Sequence, residues 1–144
     1  MILLDVNVWL PAMRSDAEHH ETIVDWLDAV VKDGDRIGVS ELALSAVVRI
    51  ATHPKVFAIP STSDEALDFC AQIIQRPDTV VVRPGVHHWD IFDRLVRASR
   101  SKGNHIADAY HAALAVESNS VLATMDRGLA RFPGVRLLDP LQAA

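Results

Sequence analysis

This sequence predicts an α/β sandwich around a mostly parallel sheet, and three observations predict it. Short apolar runs recur along the chain at Ile2 to Leu4, Arg36 to Val39, Thr79 to Arg83, Val121 to Thr124 and Val135 to Leu137. Stretches with helical hydrophobic spacing lie between them. The 144 residues are 49% hydrophobic and 23% charged, with no internal repeat, low-complexity tract or long linker, as expected of one globular domain over 1–144. Strands alternating with helices build βαβ units and a parallel sheet.

Each element follows from its residues. Ile2 to Leu4 is a buried strand closed by Asp5. Val8 to Met13 is a short helix that tolerates Pro11 near its start. Ile23, Trp26, Leu27, Val30 and Val31 keep helical spacing, so residues 18–33 form an amphipathic helix, ended by Asp33-Gly34-Asp35. Arg36 to Val39 is the second strand. Ser40 is an N-cap for a helix from Glu41 to Thr52, which His53-Pro54 stops. Thr62-Ser63-Asp64-Glu65 is a capping box opening a helix with the core face Ala66, Leu67, Cys70, Ile73 and Ile74. Arg76-Pro77-Asp78 breaks the chain before the β-branched strand Thr79 to Arg83. Trp89, Phe92, Leu95 and Val96 mark the next helix, ending near Ser101-Lys102-Gly103-Asn104. His105 to Ser118 is a helix with apolar residues on nearly every face, and is expected to be largely buried. Val121 to Thr124 is a strand, Asp126 to Ala130 a short helix, and Val135 to Leu137 the last strand.

Composition narrows the function. Nineteen acidic against fourteen basic residues leave a net charge of −5 with neutral histidines, which argues against gripping nucleic acid by bulk electrostatics. An acidic pocket that holds cations beside a local basic patch remains compatible. Cys70 is the single cysteine, which excludes an internal disulfide and a cysteine-based zinc site. The start Met1-Ile2-Leu3-Leu4-Asp5 lacks a basic leader, and no apolar run reaches membrane-spanning length. A soluble cytoplasmic protein with no membrane partner is expected.

In parallel sheets, ligands bind beyond the carboxyl ends of the strands, where the strand order reverses. Asp5 ends the first strand, and Asp126 lies two residues past Thr124. Each alone is equally a turn former or cap. Asp108 lies in the apolar helix, where a buried carboxylate needs a cation from an arginine, a histidine or a metal. Together, Asp5, Asp108 and Asp126 suggest a converging acid cluster whose repulsion a divalent ion relieves. Oxygen-only ligands favour Mg²⁺ or Mn²⁺, and a water activated by such an ion attacks a phosphodiester. Asn7 is a supporting candidate that orients Asp5 or bonds a phosphate, and Thr124 one that positions a water.

The segments Ile2-Leu3-Leu4-Asp5-Val6-Asn7, Gly103-Asn104-His105-Ile106-Ala107-Asp108-Ala109-Tyr110 and Thr124-Met125-Asp126-Arg127 carry a resemblance. So do Arg49-Ile50-Ala51-Thr52-His53-Pro54 and the eighteen-residue step from Asp108 to Asp126. The chain resembles PIN-domain ribonucleases, and more narrowly VapC toxins of bacterial toxin–antitoxin pairs, from Ile2 to Asp139-Pro140-Leu141. The resemblance implies a three-layer α/β/α domain and Mg²⁺- or Mn²⁺-dependent endonucleolytic cleavage of RNA, often tRNA or rRNA. It also implies 5′-phosphate and 3′-hydroxyl products, a homodimer, and inhibition by a VapB-type antitoxin whose C-terminal tail crosses the active site. On this likeness Asp5 is the first metal ligand, Asp108 the second, and Asp126 an outer or second-metal ligand. The family's usual glutamate falls at Ala46 here. Glu41, the nearest acid, is five residues earlier and about 140° around an ideal helix. It is carried as a catalytic candidate, with favourable charge at a helix N-terminus as the other explanation.

Arg49, Arg100, Lys102 and Arg127 are candidate RNA-backbone contacts, because a few forked guanidinium groups suffice locally. The run Arg94, Arg97, Arg100 is equally a solvated face paired with Asp90 and Asp93, and Lys55 and Arg131 are possible extensions of a basic patch. His105, Asp108 and His111 drift by about 60° per three-residue step and partly share a face, which leaves a zinc triad as an alternative. His87-His88 reads as a cap or surface pair, and Trp9, Trp26, Trp89 and Tyr110 read as core. Two rival functions remain. A phosphoaspartyl enzyme wants a second aspartate where Asn7 stands and a late lysine, and has neither. A catalytically degenerate PIN domain acting as a protein-binding module finds its support in Ala46.

Overall fold

A computed structural model describes residues 1–143 of the chain. Five strands form one sheet: β1 (Ile2–Leu4), β2 (Ile37–Val39), β3 (Thr79–Val81), β4 (Val121–Ala123) and β5 (Arg136–Leu138). Their order is β3-β2-β1-β4-β5, with every pairing parallel. The helices are α1 (Val6–Met13), α2 (His20–Lys32), α3 (Glu41–Ala51), α4 (Ser63–Gln75), α5 (His88–Ser99), α6 (His105–Glu117) and α7 (Pro140–Ala143), with a 3₁₀ turn at Arg127–Arg131. The chain steps outward from β1 to β2 and β3, then returns to place β4 on the other edge of β1. The strand order therefore reverses between β1 and β4, and their carboxyl ends are neighbours. The Asp5 N–H extends that pairing by donating to the Ala123 carbonyl at 3.0 Å.

Side chains of a strand alternate between the two faces of the sheet. Ile2 and Leu4 pack into one core with Val8, Trp9, Ile23, Trp26, Val47 and Cys70 from α1 to α4. Leu3 packs into the opposite core with Leu95, Ala112, Leu114, Leu122 and Phe132. Two buried faces make the fold a three-layer α/β/α sandwich, and they explain why β1 and β2 read as unbroken apolar runs. Ser40 caps α3 as expected, with its Oγ accepting from the Ala43 N–H at 3.1 Å.

Several local expectations need correction. Helix α1 begins at Val6, so Pro11 sits at its sixth position and not near its start. On α4 only Ala66 and Cys70 are buried, while Leu67 and Ile74 are exposed. This helix lies against α3 and the edge strand β3 and offers only a narrow stripe to the core. Trp89 is 68% exposed and not core, while Trp9 and Trp26 are buried. His88 is 3% exposed, packed 4.4 Å from the Tyr110 ring with its Nε2 3.1 Å from the Tyr110 carbonyl, so it is no surface residue.

His87 occupies the N-cap position of α5, but its side chain caps nothing. The Glu117 carboxylate, from the end of α6, instead fixes the segment entering α5 by accepting from the Gly85 N–H at 2.8 Å and the His87 N–H at 2.9 Å. Burial pushes the Glu117 carboxyl up, but these two bonds and the nearby His88 and His87 outweigh it and hold the group below its ordinary value. A carboxylate depressed in the folded state stabilises above its unfolded pKa and loses that contribution as pH falls through the folded value. Glu117→Ala is expected to cost about 0.5–1.5 kcal/mol at pH 7, because both N–H groups stay open to water once the carboxylate is gone. Urea melts of both forms should show the gap closing as pH drops below the usual glutamate range.

Candidate active site

Asp5 follows β1 and opens α1. Its extended backbone makes it the N-cap, and its Oδ1 accepts from the Val6 N–H at 2.7 Å. Its Oδ2 accepts from the Thr124 hydroxyl at 2.7 Å. His111 Nδ1 lies 3.6 Å from Oδ1, too far for a good hydrogen bond but close enough for charge to act. Burial pushes the Asp5 carboxyl up. His111, Thr124 and the Val6 N–H together outweigh burial and hold it below the usual aspartate range. The group is thus kept as a carboxylate.

Thr124, 3% exposed, is the hub beside it. It donates to Asp5, accepts from Asn7 Nδ2 at 3.0 Å, and accepts from the Asp126 N–H at 3.1 Å. Asn7 Oδ1 in turn accepts from the Met125 N–H at 3.1 Å. Asn7 and Thr124 thus tie the end of β1 to the end of β4. Thr124→Val keeps the volume but deprives Asp5, Asn7 and the Asp126 N–H of their shared hydroxyl. It is expected to cost about 1–3 kcal/mol, whereas Thr124→Ser, which keeps the hydroxyl, costs less. Thermal melts of the two variants check this.

Asp5, Asp108 and His111 line one cavity of about 250 Å³, with Ser45, Ala46 and Arg49 across from them. Asp108 was expected to be buried. It stands in the first turn of α6, its side chain is 33% exposed, and Arg131 Nη2 donates to its Oδ2 at 3.0 Å. Its need for a cation is met by Arg131, with His105 Nδ1 3.2 Å away.

Asp126 does not join the two other acids. It is exposed, and its Oδ1 caps the 3₁₀ turn by accepting from the Gly128 N–H at 2.8 Å. It lines a neighbouring cavity with Arg127 and Asp139. Its backbone, not its carboxylate, is coupled to Asp5 through Thr124. Glu41 pairs with Arg83 at 2.7 Å on the exposed side of α3. Leu42, Ala43, Ser45, Ala46 and Arg49 are the α3 residues that line the cavity; Glu41, one turn before Ser45, does not line it. No three His, Cys, Asp or Glu side chains among the described residues are close enough to share a metal ion. That includes the His105, Asp108 and His111 triad. His111 is buried and engages Ser40 Oγ at 3.2 Å, and His105 is exposed.

Of the basic candidates, Arg49 lines the cavity, Arg127 lines its neighbour, and Arg100 and Lys102 are exposed in the turn before α6. Arg97 pairs with Asp93 at 2.9 Å. Sequence reasoning did not assign His111 and Ser40 to the Asp5 site, nor Arg131 to Asp108. The three-residue step from Asp108 to His111, which puts both on one helix face, was the available signal for His111. For Arg131 there was none, since its approach depends on the turn after β4.

A PIN domain family model matches residues 2–135. Ribonuclease VapC37 of Mycobacterium tuberculosis is 36% identical over 140 residues, covering 97% of each chain. Among solved structures, VapBC2 from Rickettsia felis bound to a promoter DNA fragment superposes with a TM-score of 0.70 at 16% identity, covering 96% of this chain and 98% of that one. The M. tuberculosis VapC20 structure, described as a Sarcin-Ricin loop cleaving toxin, gives 0.66 at 15% identity, covering 94% of this chain and 99% of that one. At such identities the structures speak for the fold. The match over nearly the whole chain and the close relative speak for the family: the chain belongs to the PIN-domain family, within its VapC group.

Proposed function

We propose that the chain is a divalent-metal-dependent endoribonuclease, the toxin of a VapBC-type pair acting in the cytoplasm. One observation carries this reading. Two carboxylates, Asp5 and Asp108, face one cavity at the carboxyl edge of the sheet, at the β1/β4 reversal. Relatives named ribonucleases add to it. The donor set fits Mg²⁺ or Mn²⁺, which takes one or two protein carboxylates and fills its other positions with waters and phosphate oxygens. When bound, such an ion neutralises phosphate charge and lowers the pKa of an attacking water. Asp5, held ionised, and Asp108 supply the ligand oxygens. Asn7 and Thr124 fix Asp5, and Arg49 on the facing wall receives the RNA backbone, with Arg100, Lys102 and Arg127 beyond it. Asp126 enters this reading only if the turn at Arg127–Arg131 rearranges around the ion, and Glu41 only if its pair with Arg83 opens. An RNA substrate of the tRNA or rRNA kind, a VapB-type antitoxin and a homodimer complete the proposal.

The test is cleavage of total RNA by the purified, antitoxin-free protein with Mg²⁺, Mn²⁺ or EDTA, beside Asp108→Ala. Discrete fragments that need the metal and vanish in the variant are expected. A second reading, a binding-only PIN domain, draws on Ala46 at the cavity and on the missing third acid. It predicts a folded protein that cleaves nothing with any metal. Growth arrest, if seen, would then survive Asp5→Ala and Asp108→Ala.

A further inference from the structure

We infer that Arg131 is a resident counter-cation of Asp108, which competes with the divalent ion for that carboxylate and thereby sets the metal affinity of the site. This rests on the metal-dependent reading above. Arg131 ends the 3₁₀ turn Arg127–Arg131, which follows β4. Its Nη2 donates to Asp108 Oδ2 at 3.0 Å and stands 2.8 Å from His105 Nδ1. Its guanidinium carbon sits 4.9 Å from the centre of the Phe132 ring. Gly128 clears the space for the head, since a Cβ at Gly128 would stand 2.9 Å from Arg131 Nη1. The buried Nε has no hydrogen-bond partner among the described residues. A guanidinium that leaves one of its own donors unpaired is placed there by its other contacts, and Asp108 is the charged one.

The position matters because Oδ2 is one of only two oxygens that Asp108 can offer an ion. A guanidinium already on it competes for the same lone pairs and repels an arriving divalent charge. In the metal-free chain it neutralises Asp108 and so lowers the cost of gathering two carboxylates on one cavity. Both side chains are about one-third exposed, at 30% for Arg131 and 33% for Asp108, so a hydrated ion and a departing guanidinium both have water at hand. The coupling is reciprocal. If Arg131 weakens metal binding, metal binding weakens the hold on Arg131 by the same factor.

Calorimetric titration of the intact protein with Mn²⁺ tests this, using wild type, Arg131→Ala, Arg131→Lys and Asp108→Asn. Arg131→Ala is expected to bind Mn²⁺ about two- to fivefold more tightly than wild type, the size of coupling a partly exposed ion pair carries. Arg131→Lys, which keeps the charge, should stay nearer to wild type. In wild type, the NMR signal of the Arg131 Nε–H should shift when Mg²⁺ is added, a readout that needs no variant to fold. If Arg131→Ala binds no more tightly than wild type while Asp108→Asn loses the ion, the counter-cation role falls and the metal reading stands. An Arg131 signal indifferent to Mg²⁺ that demonstrably binds would overturn it as well. If neither wild type nor Arg131→Ala binds Mn²⁺, the metal reading itself fails and takes this inference with it.

Discussion

Asp5→Asn is expected to leave the chain folded and to remove RNA cleavage, a loss of at least about 100-fold, because an inner ligand should exceed the 10–100-fold typical of outer-shell partners. Asparagine is chosen over alanine for a physical reason. Asp5 caps α1 through the Val6 N–H, and asparagine caps about as well as aspartate, so the helix keeps its start. What the substitution removes is charge, at the one acid on the cavity that is mostly buried and held ionised. Single-turnover cleavage at saturating Mn²⁺ measures the effect, with a thermal melt to establish folding. Cleavage within about threefold of wild type would reduce Asp5 to a cap and a tie between strands. The two-carboxylate metal site would then fall, while the cleavage itself would exclude the binding-only reading.

The largest loss of stability is expected from Trp9→Ala. Trp9 is 2% exposed on α1, packs edge-on to Phe69 with centroids 6.4 Å apart, and belongs to the core on that face of the sheet. Removing so large a buried side chain costs about 3–5 kcal/mol. That is a large share of the roughly 5–15 kcal/mol that stabilises an ordinary domain. The urea midpoint should fall with little change in slope. Trp9→Phe should cost clearly less, because the indole Nε1 has no hydrogen-bond partner to lose. A fall below about 1 kcal/mol for Trp9→Ala would mean that the surroundings close over the gap.

The legibility of this fold follows from its physics. Local signals are read at short range, so Ser40, Thr62 and the runs of β1 and β4 were placed correctly. Thr62 Oγ1 does accept from the Glu65 N–H, at 3.1 Å. Leu67, Ile74 and Trp89 misled because apolar character states what a residue tolerates, and not whether a neighbour arrives to cover it. Glu41 misled for a related reason. Its place beside a strand end was visible, but whether α3 turns it inward depends on which stripe of that helix faces α6.

The sequence by itself determined the α/β class, nearly all the elements, and the family to which Asp5, Asn7, Asp108 and Thr124 belong, because periodicity, capping and motif spacing are carried by neighbours along the chain. Tertiary structure alone decided the partners of those residues. Arg131 lies twenty-three positions from Asp108, and Thr124 lies 119 from Asp5. Such pairs meet only because the parallel sheet brings the ends of β1 and β4 side by side and sets α6 and the turn after β4 above them. The same packing turned Asp126 to cap its own turn and Glu41 towards Arg83. In both cases a nearby donor held the carboxylate away from the cavity its position had promised.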